Sequence, residues 1–166
     1  QGSFFLDMTI DSDKPVVFTG AMNDASSPFP DGPGNLLNAV VQAASDNARG
    51  WGVTVTLNRY VNSARHVRKT QTTNVHTFKS GEKGYLGYVF GRKVQRLNDR
   101  VRRHHIPLPD SLPKVAFLST YSGADGSLVR YAVDHGAQGL AIEGVGAGNV
   151  NAATYKAIKY ALSKNV

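Results

Sequence analysis

The stretch Lys14-Pro15-Val16-Val17-Phe18-Thr19-Gly20 decides how the rest of the chain is read. It is a short apolar run ending in glycine, the pattern of a strand buried in a parallel sheet. A long loop follows, Ala21 to Pro33, carrying Asn23, Asp24, Ser26, Ser27 and three prolines. Long ordered loops behind strands tend to carry function. Asp31 offers a helix cap with Pro33 in the first turn. Leu36, Leu37, Val40, Val41 and Ala44 then recur at helical spacing until Arg49-Gly50 ends the element. Gly52-Val53-Thr54-Val55-Thr56-Leu57-Asn58 is a second strand. Strand, loop, helix and strand in succession make a βαβ unit, which argues for a parallel sheet.

Working outward, Phe4 to Ile10 reads as the tail of a helix already under way. Tyr60 to Val94 alternates, is rich in Thr and is punctuated by Gly, the reading of hairpins and short β segments. Gln95 to Pro113 is polar and basic, holds Arg102-Arg103-His104-His105 and three prolines, and reads as a linker. The βα rhythm then restarts. Val115 to Thr120 is a strand, Asp125 caps a helix through Val133 that Gly136 stops, and Gly139 to Glu143 is another strand. The turn Gly144-Val145-Gly146-Ala147-Gly148-Asn149 leads into a last helix, on which Tyr155, Ile158 and Leu162 share a face. The expected fold class is therefore α/β, a parallel-rich sheet with flanking helices. Residues 1–98 form part of a larger domain, 99–112 a linker, and 113–166 the start of a smaller α/β domain. The uncapped start, and an end at Val166 where another strand is expected, make both ends look cut.

Composition narrows the function classes. With 166 residues, 41% apolar and 19% charged, the chain suits one domain or parts of two with a real core. It has no run of eighteen apolar residues, so no membrane helix is expected. The opening Gln1-Gly2-Ser3-Phe4 shows no basic n-region of a signal peptide. The compartment stays open, with a periplasmic or secreted location weighted slightly above a cytoplasmic one. Cysteine is absent, which excludes disulfides and thiolate metal sites. The net charge of +7 is uneven: 13 of the 19 Lys and Arg lie between Arg49 and Arg103, with only Glu82 and Asp99 as acids. Such a stripe is an electrostatic footprint of the kind nucleic acid attracts. No recognition helix, aromatic ribonucleoprotein motif or zinc-finger spacing accompanies it. An anionic substrate or an acidic neighbouring subunit explains it as well, and nucleic acid is not the expected partner.

Asn62-Ser63-Ala64-Arg65-His66-Val67-Arg68-Lys69-Thr70-Gln71-Thr72-Thr73-Asn74 holds too many Thr and Asn for a helix and too few acids for a solvated charge run. By itself it reads as a basic surface hairpin. It also sets Lys69 beside hydroxyl and amide groups able to hold it away from water, and a lysine held so can serve as a base or proton shuttle. On an extended segment Arg68 and Lys69 face opposite sides, so Arg68 stays wet while Lys69 turns inward. The Gly144–Gly148 turn lacks the third glycine of a dinucleotide fingerprint. It reads as a tight turn bringing backbone amides and Asn149 to a neighbouring site. His104 and His105 point apart in an extended chain, and His66, His76 and His135 have no useful mutual spacing, so no metal site is expected. Without a G-x-S-x-G elbow, Ser122 is a turn residue.

Taken in order, four blocks carry a resemblance. They are Phe5-Leu6-Asp7-Met8-Thr9-Ile10 with Asp13 to Met22; Asp31-Gly32-Pro33-Gly34-Asn35-Leu36-Leu37-Asn38-Ala39-Val40; Ser63 to Thr70; and Leu112 to Val115 with Gly144 to Val150. Together they are similar to the bacterial-type L-asparaginases over nearly the whole chain. The resemblance implies hydrolysis of L-asparagine to L-aspartate and ammonia, with L-glutamine often a weaker substrate. It also implies a homo-oligomer, a tetramer built from dimers, needing no cofactor. Lys69 falls on the lysine of a Thr-Asp-Lys group that moves protons for a Thr nucleophile. Such a trio titrates as a unit. Ala21 falls where a backbone carbonyl contacts the scissile amide, and Asn149 where a neighbouring subunit's asparagine approaches the ligand.

The family's Thr-Gly-Gly-Thr-Ile-Ala strand and Thr-His-Gly-Thr-Asp-Thr motif are not in these residues. The chain is therefore expected to be an internal fragment, inactive alone, whose Lys69 has its Thr and Asp partners elsewhere. Locally, Asn23-Asp24 replaces the usual Arg-Pro, His66 a common Asp, Arg68 a common Thr, and Ala147 the first Asn of Gly-Asn-Gly-Asn. These departures bear on specificity and turnover. Two other readings stay open: a non-catalytic asparaginase-like interaction module, and the asparaginase-like subunit of a tRNA-dependent amidotransferase, which the basic stripe would suit.

Overall fold

Behind the helix Gly2–Thr9 (α1), the strand Val16–Phe18 (β1) lies parallel to Val53–Leu57 (β2), with Val17 opposite Thr54 and the helix Gly32–Ala43 (α2) between them in sequence. The computed structural model describes residues 1–100 and 104–166. Part of the expected linker, Arg102 and Arg103 included, lies outside the described residues. The chain divides into two units, Gln1–Leu108 and Pro109–Val166.

In the first unit β2 turns back into Tyr60–Ser63 (β3) through Asn58 and Arg59, whose φ of 48° and 70° place both in the left-handed region that a two-residue hairpin turn requires. The chain then leaves the sheet as a two-stranded ribbon, Arg68–Lys69 (β4) with Phe78–Lys79 (β5). It returns as Gly87–Phe90 (β6) and Lys93–Arg96 (β7), giving the order β1-β2-β3-β6-β7, antiparallel beyond β2. The linker therefore starts later than Gln95: Tyr88 pairs with Gln95 and Gly87 with Arg96. Trp51, Ala48, Val61, Leu86, Val89 and Val94 form the core, and the Trp51 indole N–H donates to the Asn98 carbonyl at 3.0 Å. Asn62 ties the ribbon to the sheet: its Oδ1 accepts from the Ser80 hydroxyl at 2.8 Å, and its Nδ2 donates to the Phe78 carbonyl at 3.4 Å.

Among the described residues β1 pairs with β2 alone, half-buried at Val16 and Val17 with Phe18 exposed. One expectation is corrected here. On α2, Leu36, Leu37 and Val40 face outward, while Asn35, Ala39 and Gln42 are buried. The polar face turns inward because its partners are there. The Gln42 amide donates to the Thr54 hydroxyl at 2.8 Å and accepts from the Thr56 hydroxyl at 2.5 Å. A buried amide is tolerated when it is bonded in this way.

The second unit sets Val115–Ser119 (β8) parallel to Gly139–Glu143 (β9), Phe117 opposite Ala141. The helices Ser127–Asp134 (α3) and Ala152–Ser163 (α4) pack through Val129, Val133, Ala157 and Ala161. The inward face of α4 is thus Thr154, Ala157 and Ala161, and not the expected Tyr155, Ile158 and Leu162, of which Tyr155 and Leu162 are exposed. Small residues win because the helices approach closely: a Cβ on Gly126 would lie 2.7 Å from the Ala157 Cβ. Asn151 caps α4, accepting from the Thr154 N–H at 2.8 Å. Gly126, and not Asp125, holds the cap position of α3, while Asp125 accepts from the Ser127 N–H at 2.9 Å. Among the described residues no helix is long and apolar enough to cross a membrane.

A methyl group placed at Gly87 would sit 2.3 Å from the Gln95 carbonyl oxygen and 2.8 Å from the Trp51 ring. Gly87→Ala should therefore destabilise by at least the ~1–3 kcal/mol typical of overpacking. Gly34→Ala, in open space on α2, should be neutral or stabilising by up to ~1 kcal/mol. Thermal melts of the two variants check the opposite signs.

Candidate active site

The ribbon places the lysine singled out from sequence. Lys69 stands on β4 opposite Phe78 on β5, next to a loop closed by Thr77. The Thr70 N–H and hydroxyl both donate to the Thr77 carbonyl at 2.9 Å. The Gln71 N–H donates to the Thr77 hydroxyl at 2.6 Å, which returns a bond to the Gln71 carbonyl at 2.5 Å. Thr77 is fully buried, so the loop behind Lys69 is pinned from inside.

Lys69 and Ala21 line one cavity of about 470 Å³, together with Phe18, Gly20, Met22 and Phe78. Arg68 faces the other side, into a separate cavity of about 440 Å³ with Arg65, His66, Lys79 and Lys83. The alternation expected of an extended segment is present, and within these 166 residues both Arg68 and Lys69 are exposed, on strands that pair only with each other.

Ala21 lies where β1 runs into the long loop, and polar groups hold that junction. The Thr19 hydroxyl donates to the Thr56 carbonyl at 2.8 Å. The Asn35 amide donates to the Gly20 carbonyl at 2.9 Å. Asp31, expected to cap α2, instead turns its carboxylate to the loop: Oδ1 accepts from the Met22 N–H at 3.0 Å and the Asn23 N–H at 2.8 Å. Burial pushes the Asp31 carboxyl up, but the N–H groups of Asn23 and Met22 and the Asn35 amide outweigh it and hold the pKa below its ordinary value. Among the described residues no protein donor reaches the Ala21 carbonyl, which leaves that acceptor open to a ligand.

Asn149 belongs to the second unit. Val145 and Asn149 exchange backbone hydrogen bonds at 2.9 Å across the glycine turn, with Gly146 and Gly148 at positive φ. A Cβ on Gly144 would meet the Gly148 backbone at 2.5 Å, so the turn is tight, as its glycines suggested. Asn149 is exposed and lines a cavity of about 280 Å³ with Thr120, Tyr121, Ser122 and Asn151. The structure thus brings together Ala21 and Lys69, while Asn149 lies in a different unit. Among the described residues there is no group of three or more potential His, Cys, Asp or Glu metal ligands.

Sequence reasoning did not single out Asn35, Asn58 or His76 as site residues. His76, in the loop behind Lys69, bonds through Nδ1 to the Asn58 amide at 3.1 Å and through Nε2 to the Tyr85 hydroxyl at 3.0 Å. The Asn58 N–H donates to Asn35 Oδ1 at 2.9 Å. One available signal was Asn35 four residues after Asp31, which puts both on one helical face.

Comparison with known proteins bears on these features together. Residues 1–102 match the family model described as Asparaginase, N-terminal, and residues 114–166 match that of the Glutaminase/Asparaginase C-terminal domain. The probable periplasmic L-asparaginase of Haemophilus influenzae is 42% identical, with 100% of this chain and 49% of that protein aligned. L-asparaginase 2 of Escherichia coli is 40% identical over 90% of this chain and 45% of its own length. A solved structure, the probable cytoplasmic L-asparaginase of Campylobacter jejuni, superposes with a TM-score of 0.90 at 38% identity, covering 98% of this chain and 54% of that one. The chain spans about half the length of the curated relatives it matches.

Two outcomes follow for the basic ribbon. Arg68 and Lys79 are directly opposed across β4 and β5, a like-charge pairing that opposes the ribbon. Lys79→Glu should stabilise the protein by a few tenths of a kcal/mol at low salt, a gain that added salt removes. Burial, Lys83 and Arg65 together hold His66 below its ordinary pKa. The unfolded chain therefore binds the proton first, and stability should fall as pH drops below about 6.5 toward the lower folded value. His66→Gln should flatten that part of a stability-versus-pH curve measured by chemical denaturation.

Proposed function

Because this chain belongs to the asparaginase family, we propose that the protein carrying it hydrolyses the side-chain amide of L-asparagine to L-aspartate and ammonia, with L-glutamine the weaker substrate. The observation that carries the reading is the shared cavity. The loop after β1 and the ribbon strand β4 come from distant parts of the sequence, yet Ala21 and Lys69 line one space. In this reading the Ala21 carbonyl accepts a hydrogen bond from the scissile amide nitrogen. Lys69 relays the proton that leaves a threonine nucleophile; the threonine and its aspartate partner come from outside these 166 residues. Water then supplies the oxygen of the new carboxylate, and the amide nitrogen leaves as ammonia. Desolvation by those partners, and not by this chain alone, would tune Lys69, which is exposed here.

The same reading treats residues 1–98 as the second half of a larger domain, 99–112 as a linker and 113–166 as the start of a smaller α/β domain. The two units and the two family matches support this division. Asn149 approaches the ligand of a neighbouring subunit in a homotetramer built from dimers. Its place beside a tight glycine turn, exposed and with its backbone fixed by Val145, suits a residue presented outward.

The test is ammonia release from L-asparagine by the full-length protein and its Lys69→Met variant. Loss of the proton relay should lower kcat by ~10²–10⁴-fold with the fold retained. A variant as fast as the wild type would remove Lys69 from the mechanism. A wild type that releases no ammonia would remove the activity.

A further inference from the structure

Ala21 and Lys69 sit on two separate excursions from the sheet, and a carbonyl can act on an amide beside a lysine only if the two excursions hold a fixed relation. Hydrogen bonds link the loop between β4 and β5 to the junction that carries Ala21, passing through the residue Asn58. At one end His76, in the loop behind Lys69, contacts the Asn58 amide at 3.1 Å. The Asn58 main-chain N–H donates to Asn35 Oδ1 at 2.9 Å; this N–H sits in the left-handed hairpin turn, with φ of 48°. Asn35 Nδ2 donates to the Gly20 carbonyl and to Asp31 Oδ2, both at 2.9 Å. Asp31 Oδ1 closes the path on the Met22 and Asn23 N–H groups at 3.0 and 2.8 Å. Asn35 is 3% exposed, so both donors and one acceptor of its amide are spent on protein groups.

We propose that Asn35 is a positioning residue: through Gly20 and Asp31 it aims the Ala21 carbonyl into the cavity, and through Asn58 and His76 it registers that carbonyl against the Lys69 ribbon. This rests on the function proposed above. The Gly20 carbonyl, which Asn35 holds, lies in the peptide unit immediately before the one containing the Ala21 carbonyl, and the Met22 N–H, which Asp31 holds, lies in the same planar peptide unit as that carbonyl. Rotation of the Ala21 carbonyl is therefore restrained at its own peptide plane and at the one before it. One side chain, Asn35, thus joins the Gly20 carbonyl, the Asp31 carboxylate that holds Met22, and the β2–β3 turn.

The chemistry of the restrained group selects the experiment. A carbonyl oxygen can only accept, so it assists a leaving amide that carries N–H and gives nothing to an ester. Full-length wild type, Asn35→Ala and Asp31→Asn should be compared on L-asparagine and on the β-methyl ester of L-aspartate, with a thermal melt of each. Asp31→Asn preserves size while facing one amide N–H₂ against another, so it carries the test if Asn35→Ala fails to fold. The expected result is a fall in kcat of tenfold or more on the amide against threefold or less on the ester. Equal losses on both substrates, or no loss on either, overturn the positioning role. If the wild type itself releases no ammonia from asparagine, the activity fails and not this role; a wild type active on the ester alone would identify that case.

Discussion

The Asn35 amide is almost sealed from water, and an amide in that position has to find its partners in the protein. The Gly20 carbonyl, the Asp31 carboxylate and the Asn58 N–H supply them. Each comes from a different piece of the first unit: the end of β1, the start of α2 and the β2–β3 turn. The rotation of α2, the course of the loop after β1 and the approach of the Lys69 ribbon are all set relative to this one group. Gln42, two turns further along the same face, repeats the arrangement with the hydroxyls of Thr54 and Thr56.

This polar face explains which features were legible beforehand. The βαβ rhythm of β1, α2 and β2 was readable because apolar runs bounded by glycine carry period and length together. The side of α2 that turns inward was not, because Leu36, Leu37 and Val40 recur at helical spacing just as Asn35, Ala39 and Gln42 do. Apolar periodicity alone favours the first set. What decides for the second is that Thr54 and Thr56, two residues apart on β2, present hydroxyls on the same side of the strand. The α4 face failed for a related reason: Ala157 packs against Gly126 at close range and Ala161 joins it in the cluster with Val129 and Val133, while Tyr155 and Leu162 are exposed. Asp31 was readable as a residue of consequence but not for its use, since a capping carboxylate and a loop-clamping one look alike in sequence.

The candidate site divides in the same way. Lys69, Ala21 and Asn149 were found through ordered resemblance, and the placement of Lys69 with Ala21 in one cavity gives the first two a common geometry. The supporting path through Asn35, Asn58 and His76 was not legible, because it depends on a main-chain N–H in a turn and on contacts 15 to 23 residues apart in sequence. The exposure of Lys69 was also hidden: hydroxyl and amide neighbours in sequence do not enclose a side chain on a two-stranded ribbon that stands off the sheet. The same openness lets Arg68 and Lys79 oppose each other at little cost.

The most direct measurement of whether this buried amide governs the site is residue-resolved amide hydrogen exchange at Met22 and Asn23 in the full-length protein. Both N–H groups end on the Asp31 carboxylate, which Asn35 holds. The expected result is slow exchange at both in the wild type and a marked rise at both in Asn35→Ala, with the core amides of β2 and β3 unchanged. Fast exchange at Met22 and Asn23 in the wild type, or protection that survives the loss of Asn35, would contradict it.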